Sequence, residues 1–153
     1  MSFLMEAISA YQEWAPRWTP QPPSPEARER LDGILDDDER AWALLALDGD
    51  EIAGVVSLSV TTGADAQVPD EDTIFLWQMF VREDWQGSGL AQALMDRVAE
   101  EARRRGKSRM VLWAAAGAAQ ARRFYEKEGW VLTGRTDDES DFGLPLVQYG
   151  LDL

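Results

Sequence analysis

The sequence predicts an α/β fold, a mixed β-sheet with helices packed against it, in a single domain over residues 1–153. Three observations carry the prediction. Segments of strand pattern and of helical period alternate along the second half of the chain. A β-hairpin signal stands ahead of them. One run, Thr73–Val81, is apolar and β-prone except at Gln78, the pattern of a strand buried on both faces. A chain of this length buries roughly 70% of its unfolded surface, enough for a core without disulfides or metals.

From the N-terminus, Met5, Ile8, Tyr11 or Ala15, and Trp18 are spaced as in an amphipathic helix that stops near Pro16. Five of the seven prolines fall between positions 16 and 25, so Thr19 to Pro25 reads as a loop between helices or a lid over a site. Ser24 is placed to cap a second helix with Pro25 at its first position. Trp42–Leu47 and Ile52–Val60 flank Asp48-Gly49-Asp50-Glu51, a strand, tight turn and strand with an Asp-Gly turn. A polar loop from Thr61 to Asp72 leads into the Thr73–Val81 strand. From Gly89 the period changes. Leu90, Ala91, Leu94, Met95, Val98 and Ala102 form one helical face, and Gly106 ends the helix. Arg109–Trp113 is the next strand, Ala118–Lys127 the next helix with Gly129 as its cap, and Trp130–Gly134 another strand. Leu146–Leu151 closes the sheet.

Composition removes several chemistries. The chain has no cysteine and no histidine, so a Ser-His-Asp triad, an imidazole base, a thiolate nucleophile or zinc site and a disulfide are all excluded. Catalysis falls to carboxylates, hydroxyls, tyrosine, lysine or the backbone, and no metal is expected. No apolar stretch is long enough for a membrane span. The N-terminal Met1-Ser2-Phe3-Leu4-Met5-Glu6 lacks the basic start and long apolar core of a secretory signal, so a cytoplasmic location is expected.

Lys and Arg number 15 against 28 Asp and Glu, a net charge of −13. The distribution is uneven. Residues 82–135 hold 11 of the basic residues and 7 acidic ones, whereas residues 1–81 carry net −12 and residues 136–153 net −5. The basic part suits an anionic ligand, and the acidic remainder draws in a cationic one. Nucleic acid is not an expected partner, because phosphates would be repelled and no dominant basic stripe exists. Most of the seven tryptophans sit at core periodicity in strands. Trp14 and Trp18, beside the proline loop, are the exceptions.

The chemistry-bearing segment is Arg82-Glu83-Asp84-Trp85-Gln86-Gly87-Ser88-Gly89-Leu90-Ala91, which runs from a strand straight into a helix. Glycines at 87 and 89 leave backbone uncovered at a helix N-terminus, where free N–H groups and the positive end of the helix dipole face one point. Such a turn binds an anion such as a pyrophosphate without side-chain charge. The spacing lacks both the GxGxxG dinucleotide pattern and the Lys-Ser/Thr of a P-loop.

Gln86-x-x-Gly89-x-Ala91 resembles the acetyl-coenzyme A (acetyl-CoA) binding motif of the GNAT superfamily of N-acetyltransferases, Gln/Arg-x-x-Gly-x-Gly/Ala. About 30 residues on, Phe124-Tyr125-Glu126-Lys127-Glu128-Gly129-Trp130 is similar to that family's Phe-Tyr-Glu-Lys-x-Gly-Phe/Trp segment. Together the likeness spans about residues 40–153. It implies a mostly antiparallel mixed sheet in which two strands splay apart to admit the pantetheine arm of the cosubstrate. That arm lies beside Met79, Phe80 and Val81, with main-chain bonds expected at Met79 and Val81. The amides of Gln86, Gly87, Ser88, Gly89, Leu90 and Ala91 would hold the pyrophosphate. Tyr125 matches the tyrosine that protonates the departing thiolate, which requires the site to tune a phenol of pKa about 10 against a thiol of about 8.5. Residues 1–40 would supply the acceptor-side helices and loop, with Trp14 and Trp18 facing a cationic amine. Relatives are monomers or homodimers, and an exposed C-terminal strand would pair across a two-fold axis.

The sequence departs from the family pattern at three places. Thr73–Val81 has no carboxylate where many relatives carry a glutamate, so Asp70, Glu71, Asp72 or an acidic residue of the N-terminal half is the candidate base, acting through water. Ala118 stands where many relatives have an asparagine. The chain is already helical in pattern by Met5, without the short opening strand. The first functional reading is an acetyl-CoA-dependent N-acetyltransferase acting on a primary amine of a small molecule, peptide or protein. The second is a non-catalytic acyl-CoA-binding module, and the third a phosphate-binding α/β interaction domain.

Overall fold

The computed structural model describes residues 25, 26, 29, 40–60, 70–140 and 143–153. The helix expected over Met5–Trp18, the proline-rich loop with Trp14 and Trp18, and most of the Thr61–Asp72 loop lie outside the described residues. Pro25, Glu26 and Glu29 are helical, in agreement with a helix opened by Pro25.

The elements are β1 (Ala41–Asp48), β2 (Glu51–Ser59), β3 (Thr73–Val81), a short 3-10 turn (Glu83–Trp85), α1 (Leu90–Arg104), β4 (Arg109–Ala115), α2 (Ala119–Lys127), β5 (Val131–Asp137) and β6 (Leu146–Asp152). The sheet order is β1-β2-β3-β4-β6-β5. Every neighbouring pair is antiparallel except β3 with β4. This is the mixed, mostly antiparallel sheet expected.

The hairpin turn falls on Asp48–Glu51 as expected, with Gly49-Asp50 rather than Asp-Gly at its centre. Asp48 pairs with Glu51, so the loop is Gly49-Asp50, and Gly49 takes φ +61°. A positive φ at the first central position only is the type II′ pattern, which matches strand twist and calls for glycine there. The helices end as expected. At Gly106 (φ +73°) the amide bonds to Arg103 O while that of Lys107 reaches Ala102 O. Gly129 (φ +92°) and Trp130 repeat this on Glu126 O and Tyr125 O. Both are Schellman motifs that use the last carbonyls of each helix.

One face of the sheet carries the core. Val56, Leu58, Ile74, Leu76, Met110, Leu112, Ala114 and Tyr149 meet Leu94, Met95, Val98, Ala99 and Ala102 of α1, and Trp130. Phe124 and Tyr125 of α2 pack against the same cluster, so α1 and α2 cover this face. A Cβ on Gly54 would meet Leu94 Cδ1 at 3.0 Å and Phe80 O at 3.1 Å, which shows how closely α1 sits on β2. Truncating a fully buried residue here, such as Leu94, costs about 2–5 kcal/mol.

Three expectations about packing are corrected. β3 is buried on both faces only through Leu76; Trp77, Met79, Phe80 and Val81 are half-buried and Gln78 is exposed, because β4 leaves its side there. The C-terminal strand β6 is an inner strand between β4 and β5, so β5 and β1 are the outer strands of the described sheet. The tryptophans are mostly outside the core. Of the five described, only Trp130 is fully buried, and Trp42 packs partly against the core cluster. The edge pairing of β5 is broken, because Thr133, Gly134 and Arg135 together stand against Gln148 alone.

Candidate functional site

β3 and β4 pair at Thr73↔Arg109, Ile74↔Met110 and Phe75↔Val111, and then part. β3 stays with β2 as far as Gly54↔Val81, and β4 stays with β6 as far as Ala115↔Leu146. A slot therefore opens in the middle of the sheet toward the C-terminal ends of both strands. A one-residue bulge helps to shape it. Ser57 pairs with Gln78 and Leu58 with Leu76, which leaves Trp77 as the extra residue. Side chains reverse parity across it: Ile74 and Leu76 face the core before the bulge, and Met79 and Val81 after it.

The backbone of β3 reverses with them. Arg82 N–H donates to Ala53 O on β2 at 2.9 Å, so by alternation the main-chain groups of Val81 and Met79 point away from β2, into the slot. On the other wall, Ala116 N–H donates to Pro145 O at 2.9 Å. The groups of Ala115 and Trp113 accordingly face the slot. Phe80, between Met79 and Val81, faces β2 with its main chain.

The Gln86–Ala91 turn lies directly beyond Val81. Gly87 and Gly89 have φ of +75° and +90°, and a Cβ on either would meet nothing within 4 Å. Glycine is therefore needed for dihedral reasons, and the space above both is open. Gln86 N–H donates to Glu83 O at 3.1 Å, Ser88 N–H to Trp85 O at 3.3 Å, and Leu90 N–H meets Ser88 Oγ at 3.3 Å. Among the described residues, the amides of Gly87, Gly89, Ala91 and Gln92 have no protein partner, at the positive end of a fifteen-residue helix. This is the donor set that suits an anion. The Gln86 side chain links the turn to β3 and to α2, donating to Val81 O at 3.4 Å and accepting from Gln120 Nε2 at 3.5 Å.

Arg82 anchors this turn. Its guanidinium bonds to Asp84 at 2.6 and 2.8 Å, to Glu51 at 3.1 Å and to Asp48 at 3.3 Å. Its hydrogen bond holds the Asp84 carboxyl below its ordinary pKa, and Trp85 Nε1 adds a bond to Asp48 Oδ2. The tip of the hairpin and the start of the turn are thus tied to one side chain, a role that sequence reading did not assign.

Tyr125 sits half-buried on α2. Its ring lies 5.7 Å from Phe124, 6.1 Å from Trp130 and 6.1 Å from Tyr149. Tyr149 is fully buried, accepts from Arg122 Nε at 2.9 Å and donates to Glu126 Oε1 at 2.7 Å; burial pushes its phenol pKa up. Arg122 also donates to Ala116 O at 2.8 Å, which fixes α2 against the end of β4. The partners of this network are 23 and 27 residues apart, beyond the reach of pattern reading. Ala118 is buried at the N-terminal cap of α2, where no side chain caps the helix.

The candidate bases Asp70, Glu71 and Asp72 are not at the slot. Asp72 O accepts from the amides of Ser108 and Arg109, and Glu71 O from Lys107 Nζ, all at the paired end of β3 and β4. Nine residue steps of strand, about 30 Å, separate Asp72 from Val81. No group of three or more His, Cys, Asp or Glu side chains suited to a metal occurs among the described residues, and no described helix is long and apolar enough to cross a membrane.

The sequence profile of the Acetyltransferase (GNAT) family matches residues 7–130. None of the curated proteins is a recognisable sequence relative. Solved structures resemble the fold at low identity. A GNAT-family acetyltransferase from Staphylococcus aureus superposes with a TM-score of 0.73 at 16% identity, over 97% of this chain and 89% of its own. One from Elizabethkingia anophelis, solved with acetyl-CoA bound, gives 0.62 at 19% over 88% and 92%. A GNAT-family protein from Desulfovibrio desulfuricans gives 0.68 at 23% over 99% and 95%. With the parted strands, the glycine turn and a profile match over most of its length, the chain belongs to the GNAT family of acetyltransferases.

Proposed function

We propose that the protein is an acetyl-CoA-dependent N-acetyltransferase acting on a primary amine in a ternary complex. The carrying observation is the junction of two features: a slot where the main chains of β3 and β4 are no longer bonded to each other, and a turn at its open end with four amides that have no partner among the described residues. An elongated ligand with a peptide-like arm and an anionic middle fits that junction and supplies an activated acetyl thioester. Met79 and Val81 would bond the arm as a strand would. Gly87, Gly89, Ala91 and Gln92 would donate to the pyrophosphate, joined by Leu90 if Ser88 Oγ gives way. Bonding by Gln86 and Ser88 amides would require the turn to rearrange.

In this reading Tyr125 gives its phenolic proton to the sulfur as the carbon–sulfur bond breaks. It is restored by the proton that the amine nitrogen loses as the carbon–nitrogen bond forms. The amine must reach the slot neutral. A non-catalytic acyl-CoA-binding module is the second reading, favoured by the buried, uncapping Ala118 at the N-terminus of α2.

Calorimetric titration with acetyl-CoA, desulfo-CoA and ATP tests the binding half. Saturable one-to-one binding of both coenzymes with ATP much weaker is expected, and absence of binding at moderate salt refutes both readings. Thiol release on adding amines then separates the enzyme from the binding module.

A further inference from the structure

The bulge in β3 places two consecutive side chains, Trp77 and Gln78, on the face opposite α1 and α2, because Leu76 and Met79 on either side of them both face the core. Trp113 lies on that same face, between the core-facing Leu112 and Ala114 of β4. Continuing the register two residues past Phe75↔Val111 brings Trp77 opposite Trp113. The two indoles thus stand on the two lips of the slot, at the point where it opens, with the buried Phe75 and Val111 behind them at its closed end.

Both tryptophans are half-buried, and neither makes a ring contact with another aromatic side chain among the described residues. Paired strands about 4.8 Å apart would leave no room between facing indoles, whereas parted strands admit a third ring. A polar group lies next to them. Ser57, 4% exposed on the same face of β2 and in register with Gln78, has a buried hydroxyl without a hydrogen-bond partner among the described residues. A buried unpaired hydroxyl is costly and calls for a partner.

The geometry points to an acceptor that carries its amine on an aromatic ring system, with the ring held between Trp77 and Trp113 and a polar atom of the acceptor meeting Ser57 Oγ. This assignment rests on the acetyltransferase reading above and narrows its acceptor to arylalkylamines. A flat ring offers both indole faces a partner, which a saturated ring of the same size does not.

The test compares 2-phenylethylamine with 2-cyclohexylethylamine, matched in length, by CoA release with acetyl-CoA saturating and with rates referred to the neutral fraction of each amine. The expected wild-type preference in kcat/KM for the aromatic amine is about tenfold, the scale of two added ring contacts. Trp77→Leu and Trp113→Leu should each erase most of it, Trp77→Phe should retain it, and Trp42→Leu, on β1 against the edge of the core, should leave it intact. Calorimetry with each amine on the desulfo-CoA complex should show the same order. Equal use of both amines by the wild type, or a preference that survives both leucine variants, overturns the acceptor assignment alone. Failure to bind acetyl-CoA overturns the acetyltransferase reading and this assignment with it.

Discussion

Gly89→Ala separates what the glycine turn does for folding from what it does for a ligand. Gly89 has φ +90° and ψ −1°, and a methyl group there would touch nothing within 4 Å. The folding cost is therefore the left-handed backbone alone, about 1–2 kcal/mol. In a domain of this size that lowers Tm by about 2–8 °C. The ligand cost is larger, because the methyl group stands in the open space in front of the unpartnered amides of the turn. Losing one charge-assisted bond of about 1.5–3 kcal/mol weakens acetyl-CoA by about ten- to a hundredfold. Gly106→Ala is the matched control. Its φ of +73° and its empty surroundings impose the same strain at the far end of α1. Thermal unfolding should show equal losses in the two variants, and calorimetry with acetyl-CoA should show weakening in Gly89→Ala only. Unchanged affinity in Gly89→Ala, or an equal loss in Gly106→Ala, refutes the role given to the turn.

Tyr125→Phe should lower turnover by at least about a hundredfold with acetyl-CoA affinity unchanged, measured by thiol release and calorimetry; full turnover would remove the acid role. Tyr149→Phe breaks the bonds to Arg122 and Glu126 in a buried setting and should cost about 1–3 kcal/mol in denaturant unfolding. Glu101 is held by hydrogen bonds from Arg104 and Arg105, which lower its pKa from the ordinary 4.5 to about 2. Its contribution is thus fully present above the ordinary value and is lost as pH falls from there toward about 2. Glu101→Gln should cost about 1 kcal/mol at pH 7 and flatten the acid limb of a stability-versus-pH curve in that window.

Much of this architecture was legible in residues that act locally. Gly106 and Gly129 mark helix ends because only their own φ and the preceding turn decide the matter. The hairpin was legible for the same reason, on the expected residues Asp48–Glu51 but with Gly-Asp rather than Asp-Gly at its centre. The run Thr73–Val81 showed a strand but concealed its bulge, since an apolar residue stands at nearly every position and the parity reversal at Trp77 leaves no trace in the pattern. Trp77 and Trp113 were accordingly read as core. The position of β6 inside the sheet, the Arg82 anchor and the Arg122–Tyr149–Glu126 network depend on contacts between distant residues. Asp70–Asp72 stand away from the slot because this parallel pair opens at the C-terminal ends of its strands, and which end opens is settled by the pairing with β4.

The broken ladder on β5 bears on how readily another chain can add to an outer strand with exposed apolar residues. Val131 and Leu132 are 69% and 47% exposed on an outer strand of the described sheet, a surface that invites another chain to add on. The excursion at Thr133–Arg135, with Gly134 at φ +88°, divides its pairing into two short stretches. An incoming strand meets only two regularly paired residues at either end and no continuous template between them. Straightening that kink, by removing the two surplus residues, would turn a protected margin into a growth surface for fibrils.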